Sequence, residues 1–168
     1  MQSKESEEPH RSMLRVLQSK DETRAFYDKI SNVYDLLAEH SEGPARQVGL
    51  DKLAVTQGEA VLEIGFGTGH CLVELAKAVG PEGKAYGLDL SEGMGAQALA
   101  QLQTTDLMDR VELSCGDATH LPYKACSLDA AFTSFTLELF DTPEIPLVLA
   151  EFGLDHQGRQ GGICCGGV

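Results

Sequence analysis

Val61 to His70 constrain this chain more than any other stretch: Val-Leu-Glu-Ile-Gly-Phe-Gly-Thr-Gly-His. A run of β-forming apolar residues carries one acid near its end. It then breaks into glycines at positions 65, 67 and 69 and leads into a segment of helical periodicity. The pattern predicts a strand, a tight turn and a helix start. Glycines in such a turn admit backbone conformations closed to other residues and leave no Cβ between the main chain and a neighbour. The functional reading is a ligand that lies close against the main chain; the bland one is a structural turn with no ligand.

The glycine spacing separates two ligand classes. In the dinucleotide fingerprint GxGxxG the third glycine follows the second by three residues, beside a pyrophosphate. Here it follows by two, and His70 stands where that pattern has glycine. The ExGxGxG form of Glu63 to Gly69 instead resembles motif I of the class I S-adenosylmethionine (SAM) dependent methyltransferases, whose loop wraps the methionine part of SAM. Glu63 suits such a ligand, because SAM carries a sulfonium and an ammonium but no phosphate.

A second segment sets the topology. Lys84-Ala-Tyr-Gly-Leu-Asp89 reads as a strand ending in an acid, 24 residues after Gly65. That interval is one βαβ crossover, which returns the second strand parallel to the first with both C-terminal ends on one edge of the sheet. Between the strands, Cys71, Leu72, Leu75, Ala76 and Val79 form a helix's apolar face, Glu74 and Lys77 lie outside it, and Gly80-Pro-Glu-Gly83 ends it. Asp89 is therefore expected beside the glycine loop, where a carboxylate can accept from both ribose hydroxyls. Its bland role is to cap the next helix, for which Ser91 is the better candidate.

The rest of the ladder follows. The helix from Glu92 to Gln103 carries Gly93 and Gly95, each costing about 1 kcal/mol against alanine, so a loose start is expected. Met94 is placed either to cover a face of an adenine or to pack in the core. A third strand, Arg110 to Cys115, ends in Gly116-Asp117-Ala118-Thr119-His120-Leu121-Pro122. There Asp117 can accept from the exocyclic amine of adenine while the Ala118 N–H donates to a ring nitrogen; an Asx-turn is the alternative for Asp117. Ser127 to Phe135 is the fourth strand, and Thr142-Pro143 opens a helix with Leu147, Val148, Leu149 and Phe152 on its apolar face.

Upstream, Ser19-Lys-Asp-Glu22 has the form of a capping box. Phe26, Ile30, Val33, Tyr34 and Leu37 recur at helical spacing, predicting one apolar stripe laid on the main domain. Gly43-Pro44 is expected to interrupt this helix, with a second short one over Ala45 to Ala54.

The wider match to the methyltransferase family rests on further motifs. Gly116 to Tyr123 is similar to motif II, GDAxxLPF, with Tyr123 for Phe, and strand four to FDxxxxxxxL, with Leu128 for Phe. Ser134-Phe135 resembles a Ser-Phe pair of the ubiquinone/menaquinone-biosynthesis type. Phe26-Tyr27-Asp28 and Val33-Tyr34-Asp35 resemble the tyrosine-rich N-terminal segment of that type, which closes over SAM. The fold implied is α/β, a Rossmann-like, mostly parallel sheet flanked by helices, lacking the family's last strands. SAM is the implied cofactor. The implied contacts are Glu63, Gly65, Gly67, Thr68, Gly69, Asp89, Leu90, Met94, Asp117, Ala118, Ser134 and Tyr34, with Tyr27 the alternative to Tyr34. The expected organisation is a polar tail over 1–18, a helical cap over 19–57, a SAM-binding core over 58–152 and a Gly-rich tail over 153–168.

Composition narrows the partners. At 168 residues, 42% hydrophobic, the chain suits one globular domain. Its 26 acids against 13 bases give a formal net charge of −13 without a Lys/Arg cluster, which argues against a nucleic-acid partner. No apolar run reaches the roughly 18 to 20 residues of a membrane span, and the first residues are not a signal peptide, so a soluble, cytoplasmic protein is expected. Cys71, Cys115, Cys126, Cys164 and Cys165 have no CxxC or zinc-ligand spacing; free thiols and no metal are expected.

After Glu151 the resemblance fails: Gly161-Gly162-Ile163-Cys164-Cys165 resembles the family's PGG turn and the start of its fifth strand only faintly, and the glycine-rich last residues cannot supply a good strand. A shortened form is expected, with strand four's outer edge open to a protein partner. In-line methyl transfer needs alignment more than a strong acid or base. His70, His120, Glu138 and Asp141 are ordinary loop or surface residues by default, and no catalytic residue is named. The acceptor expected is a small molecule. The rival functions are a non-catalytic SAM binder and a nicotinamide-dependent oxidoreductase, the latter opposed by His70 and the acidic loop.

Overall fold

β1 (Ala60–Ile64) is the central strand, with Val61, Leu62 and Ile64 no more than 2% exposed. The computed structural model describes residue 16, residues 18–124 and residues 127–151, excluding the side chains of 35–41. The Gly-rich tail, Cys126, Cys164, Cys165, Phe152, the Leu37 side chain and most of the polar tail lie outside the described residues. β1 pairs in parallel with β2 (Lys84–Asp89) on one side and β4 (Ala130–Thr133) on the other. β3 (Val111–Cys115) pairs in parallel outside β2, giving the order β3-β2-β1-β4. Ile64 stands opposite both Leu88 and Thr133, so these strands end along one edge.

A parallel sheet covered on both faces needs apolar residues at consecutive positions, each parity serving its own core. Val61, Ala85, Val111, Leu113 and Phe132 face α3 (His70–Val79), α4 (Glu92–Gln103) and the end of α2 (Tyr34–Leu53). Leu62, Ile64 and Leu88 face the other way, onto Leu128, Ala118 and Val148 of α5 (Ile145–Glu151). This is the α/β, Rossmann-like arrangement that the motif order implies. The bounds of β2 and α4 are those read from the sequence.

The N-terminal helices depart from expectation. α1 (Lys20–Ile30) has its capping box, with Glu22 Oε2 accepting from Ser19 N at 2.8 Å and Ser19 Oγ accepting from Glu22 N at 3.3 Å. It buries no residue, and Phe26 and Val33 are 51% and 50% exposed, so no continuous apolar stripe docks it. Polar contacts do so instead. Asp28 Oδ1 accepts from Ser91 Oγ at 2.6 Å and from Gly93 N at 2.9 Å. Arg24 Nε donates to the Leu90 carbonyl at 3.1 Å, and Gln97 Nε2 to Asn32 Oδ1 at 2.8 Å.

The same contacts correct the expected looseness of α4. A Cβ at Gly93 would stand 2.9 Å from Asp28 Cα, so glycine is what lets α1 approach. Ser91 Oγ caps the helix by accepting from Met94 N at 3.0 Å, and Asp28 supplies a second acceptor from outside it.

α2 runs unbroken from Tyr34 to Leu53 with Pro44 inside it, and the chain turns at Ser31–Val33 instead of at Gly43-Pro44. Pro44 is exposed, so water can serve the carbonyl that its ring deprives of a partner. Ser31, 5% exposed, donates its hydroxyl to the Asp28 carbonyl at 3.0 Å, a local bond that competes with the helix ladder. β4 is also shorter than expected. Asp129 engages β1 through its carboxylate, accepting from Ala60 N at 2.8 Å, and Phe135 turns into the left-handed region at φ 54°.

Candidate functional site

Three loops leave the C-terminal edge of the sheet together, tied by main-chain hydrogen bonds. Gly65 N–H donates to the Leu88 carbonyl at 2.8 Å and Gly116 N–H to the Asp89 carbonyl at 2.9 Å. The Asp89 side chain joins the first two loops: Oδ2 accepts from Gly67 N and Oδ1 from Ser91 N, both at 2.9 Å. Gly65 and Gly67 have φ of 68° and 53°, a region that suits glycine. A Cβ at Gly65 would collide with the Thr136 side chain, whereas at Gly67 nothing lies within 4 Å.

That space adjoins a cavity of about 110 Å³ lined by residues of all three loops. Of the residues predicted to hold a ligand, Gly65, Gly67, Asp89, Leu90, Met94, Asp117, Ala118, Ser134 and Tyr34 line it together, as does Tyr27. Glu63, Thr68 and Gly69 are not brought to this lining. Glu63 is 3% exposed, on the β1 face toward α3, where it accepts from the Cys71 thiol while its Oε2 meets no hydrogen-bond partner. Burial, and then the nearby charge of Asp89, pushes its carboxyl well above the usual range. Thr68 is buried, and Gly69 turns the chain into α3 at φ 92°.

The electrostatics of the wall are uneven. The Tyr27 and Tyr34 rings lie 6.0 Å apart, and Tyr34 Oη donates to Glu42 Oε1 at 3.4 Å. Burial, followed by the charge of Glu42, pushes the Tyr34 phenol up to about 12. Burial, then Glu138, Glu42 and Asp89, raises that of Tyr27. This end of the cavity combines two neutral aromatic rings with surrounding carboxylates, a setting that favours a cationic ligand group over a phosphate. Burial also raises the Asp89 carboxyl, against the lowering by the N–H groups of Ser91, Gly67 and Leu90. Two carboxylate oxygens offer about four lone-pair sites, so beside these N–H groups Asp89 can still accept from a further donor.

Sequence reasoning missed Lys20, Arg24 and Glu144 among the lining residues. Lys20 Nζ stands 2.5 Å from Asp117 Oδ2 and 2.7 Å from Glu144 Oε1, while Asp117 Oδ1 accepts from Thr119 N at 2.9 Å. Asp117 thus makes the Asx-turn and also faces the cavity. A lysine inside a capping box reads as surface, and nothing in the linear pattern pairs it with an acid 97 residues away.

A sequence profile for a methyltransferase domain matches residues 61–153, spanning the glycine loop, Asp89 and Asp117. The chain belongs to the class I SAM-dependent methyltransferase family. Methyltransferases of known name resemble it over most of its length. The demethylmenaquinone methyltransferase of Lactobacillus johnsonii is 34% identical over 125 residues, 74% of this chain and 49% of that one. The aklanonic acid methyltransferase of a Streptomyces species is 32% identical over 142 residues, 83% of this chain and 63% of that one. The crystal structure of a SAM-dependent methyltransferase from Aquifex aeolicus superposes with a TM-score of 0.57 at 25% identity, over 75% of this chain and 64% of that one. The chain spans about half the length of the Lactobacillus relative and under two-thirds of the other two. SAM is this family's cofactor, which sets the nicotinamide reading aside. No helix among the described residues is long and apolar enough to cross a membrane.

Proposed function

We propose that this chain binds SAM in the cavity above the glycine loop and carries its methyl group to a small, flat, quinone-like acceptor. The observation that carries the reading is the carboxylate of Asp89, fixed by Gly67 and Ser91 at the wall of a cavity that also holds Asp117 and Ala118. SAM supplies an electrophilic sulfonium-bound methyl; the chain's part is to hold, align and dry. Asp89 accepts from the ribose hydroxyls, and Asp117 with the Ala118 N–H reads the base. Gly65 and Gly67 let the main chain lie against the methionine part, Tyr34 closes that end, and Leu90, Met94 and Ser134 line the rest. Glu63, Thr68 and Gly69 shape the turn from beneath.

The acceptor class is supported by the name of the Lactobacillus relative and by the apolar residues Phe135, Leu139 and Phe140 in the lining. The proposed organisation is a helical cap of α1 and α2 over a core of 58–152. A protein partner is proposed at the outer edge of β4, which has no paired strand among the described residues. The test is calorimetric titration of the chain with S-adenosylhomocysteine, beside Asp89→Ala and an assay with a demethylated naphthoquinol, the reduced form whose ring carbon can attack the methyl group and then lose its proton. Micromolar binding that the variant loses, with methylation of the quinol, supports the proposal. Binding without turnover points to a cofactor binder, and no binding overturns the reading.

A further inference from the structure

Lys20, Asp117 and Glu144 come from the first turn of α1, the loop after β3 and the turn before α5, and all three line the cavity. The Lys20 ammonium divides itself between the two acids, at 2.5 Å and 2.7 Å. Asp117 is therefore anchored at both oxygens, Oδ1 on the Thr119 N–H and Oδ2 on Lys20.

We propose that Lys20 is a positioning residue for base recognition: by bridging Glu144 and Asp117 it fixes the Asp117 carboxylate so that this group selects an amine over a carbonyl on the ligand's base. The proposal deepens the SAM-binding reading and rests on it. A carboxylate anchored at one oxygen can still swing about its side-chain bonds, whereas two anchors set its plane. Two acids sharing one ammonium keep a net negative charge, so Asp117 remains an acceptor instead of being cancelled by its partner. The bridge also favours the ionised form. Burial disfavours the charge, but the bonds from Lys20 and Thr119 hold the carboxyl below its ordinary 3.8. A protonated Asp117 would present an O–H and meet a carbonyl as readily as an amine.

The experiment titrates the full chain with S-adenosylhomocysteine and with S-inosylhomocysteine, in which a carbonyl replaces the exocyclic amine. The unaltered chain should prefer the adenosyl ligand by about tenfold or more, the worth of one charge-assisted hydrogen bond. Asp117→Asn should cut the preference by about threefold or more, leaving the share read by the Ala118 N–H, because the inosyl base carries a hydrogen on the ring nitrogen beside its carbonyl. Lys20→Met should cut it by a similar factor, and Lys20→Arg should restore it. Lys20→Gln, which keeps a donor on a similar stem, serves if the Met variant unfolds, and it too should narrow the gap. An equal loss for both ligands, leaving the ratio unchanged, assigns Lys20 a merely structural role and overturns the proposal. Tighter binding of both in Lys20→Met makes Lys20 a competitor and also overturns it. If Asp117→Asn retains the full preference, base reading by Asp117 fails, and if neither ligand binds the unaltered chain, the SAM reading fails.

Discussion

Gly67 N–H donates to Asp89 Oδ2 at 2.9 Å, so the glycine loop after β1 and the acid ending β2 form one unit. Each supports the other: the loop helps to orient the carboxylate, which Ser91 N–H also holds, and the carboxylate satisfies a loop N–H. Replacing Asp89 by alanine should therefore weaken S-adenosylhomocysteine binding by about tenfold to a hundredfold, as expected for charge-assisted hydrogen bonds. Isothermal calorimetry measures this directly.

The same carboxylate predicts a pH dependence. Burial sets its native pKa above the ordinary 3.8, and ribose hydroxyls donate more strongly to the ionised form, which offers both oxygens as acceptors. Affinity should be full above the raised value and fall as pH drops through it, starting at a higher pH than for an exposed aspartate. Asp89→Asn should be flatter over that range. In the ligand-free chain the sign reverses. The native state holds this proton more tightly, so the stability Asp89 contributes is greatest below 3.8 and declines as pH rises to the raised value. Thermal melts across acid pH with and without the Asn substitution separate the two effects.

The two cavity glycines should fail in different ways. Alanine at Gly65 would collide with Thr136, so Gly65→Ala should lower the melting temperature sharply. At Gly67 a Cβ meets nothing within 4 Å, and the left-handed φ of 53° costs only about 1–2 kcal/mol. Gly67→Ala should remain folded but bind S-adenosylhomocysteine at least tenfold more weakly, because its methyl group enters the ligand's space. A Gly67→Ala chain with unchanged affinity would mean that no ligand lies against this loop.

α1 depends on polar contacts, chiefly those of Asp28 with Ser91 and Gly93. Asp28→Ala removes this second cap from α4, at the low end of about 0.5–2 kcal/mol because the carboxylate is exposed. The larger effect should be local. Amide exchange should accelerate across α1 and the first turn of α4, with β1 and α3 unaffected, and 1 M salt should produce part of the same change in the unaltered chain. Exchange rising uniformly over the molecule would contradict polar docking.

What the sequence revealed and what it withheld divide along a physical line. β1, β2 and Asp89 were legible because strand, crossover and glycine turn are encoded locally, and one βαβ unit has a single favoured return path. The unbroken α2 was not, because proline's local penalty was outweighed by an exposed setting that a linear pattern does not contain. Gly93 looked like a weak point in a helix until Asp28 was seen packed on it. Lys20 was invisible because its acids come from loops far along the chain, Asp117 being 97 residues away. Glu63 was legible as part of the motif, but strand parity turns its side chain toward Cys71 and away from the cavity lining.

The tyrosine pair offers a last test. Tyr34 Oη reaches Glu42 at 3.4 Å, near the limit of a hydrogen bond, while its ring stands beside Tyr27 in the cavity wall. Tyr34→Phe keeps the ring and should change S-adenosylhomocysteine affinity less than threefold. Tyr34→Leu removes the aromatic face and should cost about tenfold, the scale of an aromatic contact with a cation. The phenol, pushed up to about 12, should stay protonated beyond pH 10 and supply no general base at neutral pH. Because the native state holds this proton more tightly than the unfolded chain, its stability contribution is complete below pH 10 and is lost as pH rises toward 12. Ultraviolet titration of the phenolates, compared between the unaltered chain and Tyr34→Phe, should show one group missing from the last to ionise. An early phenolate lost in the variant would place Tyr34 in water instead of in this wall.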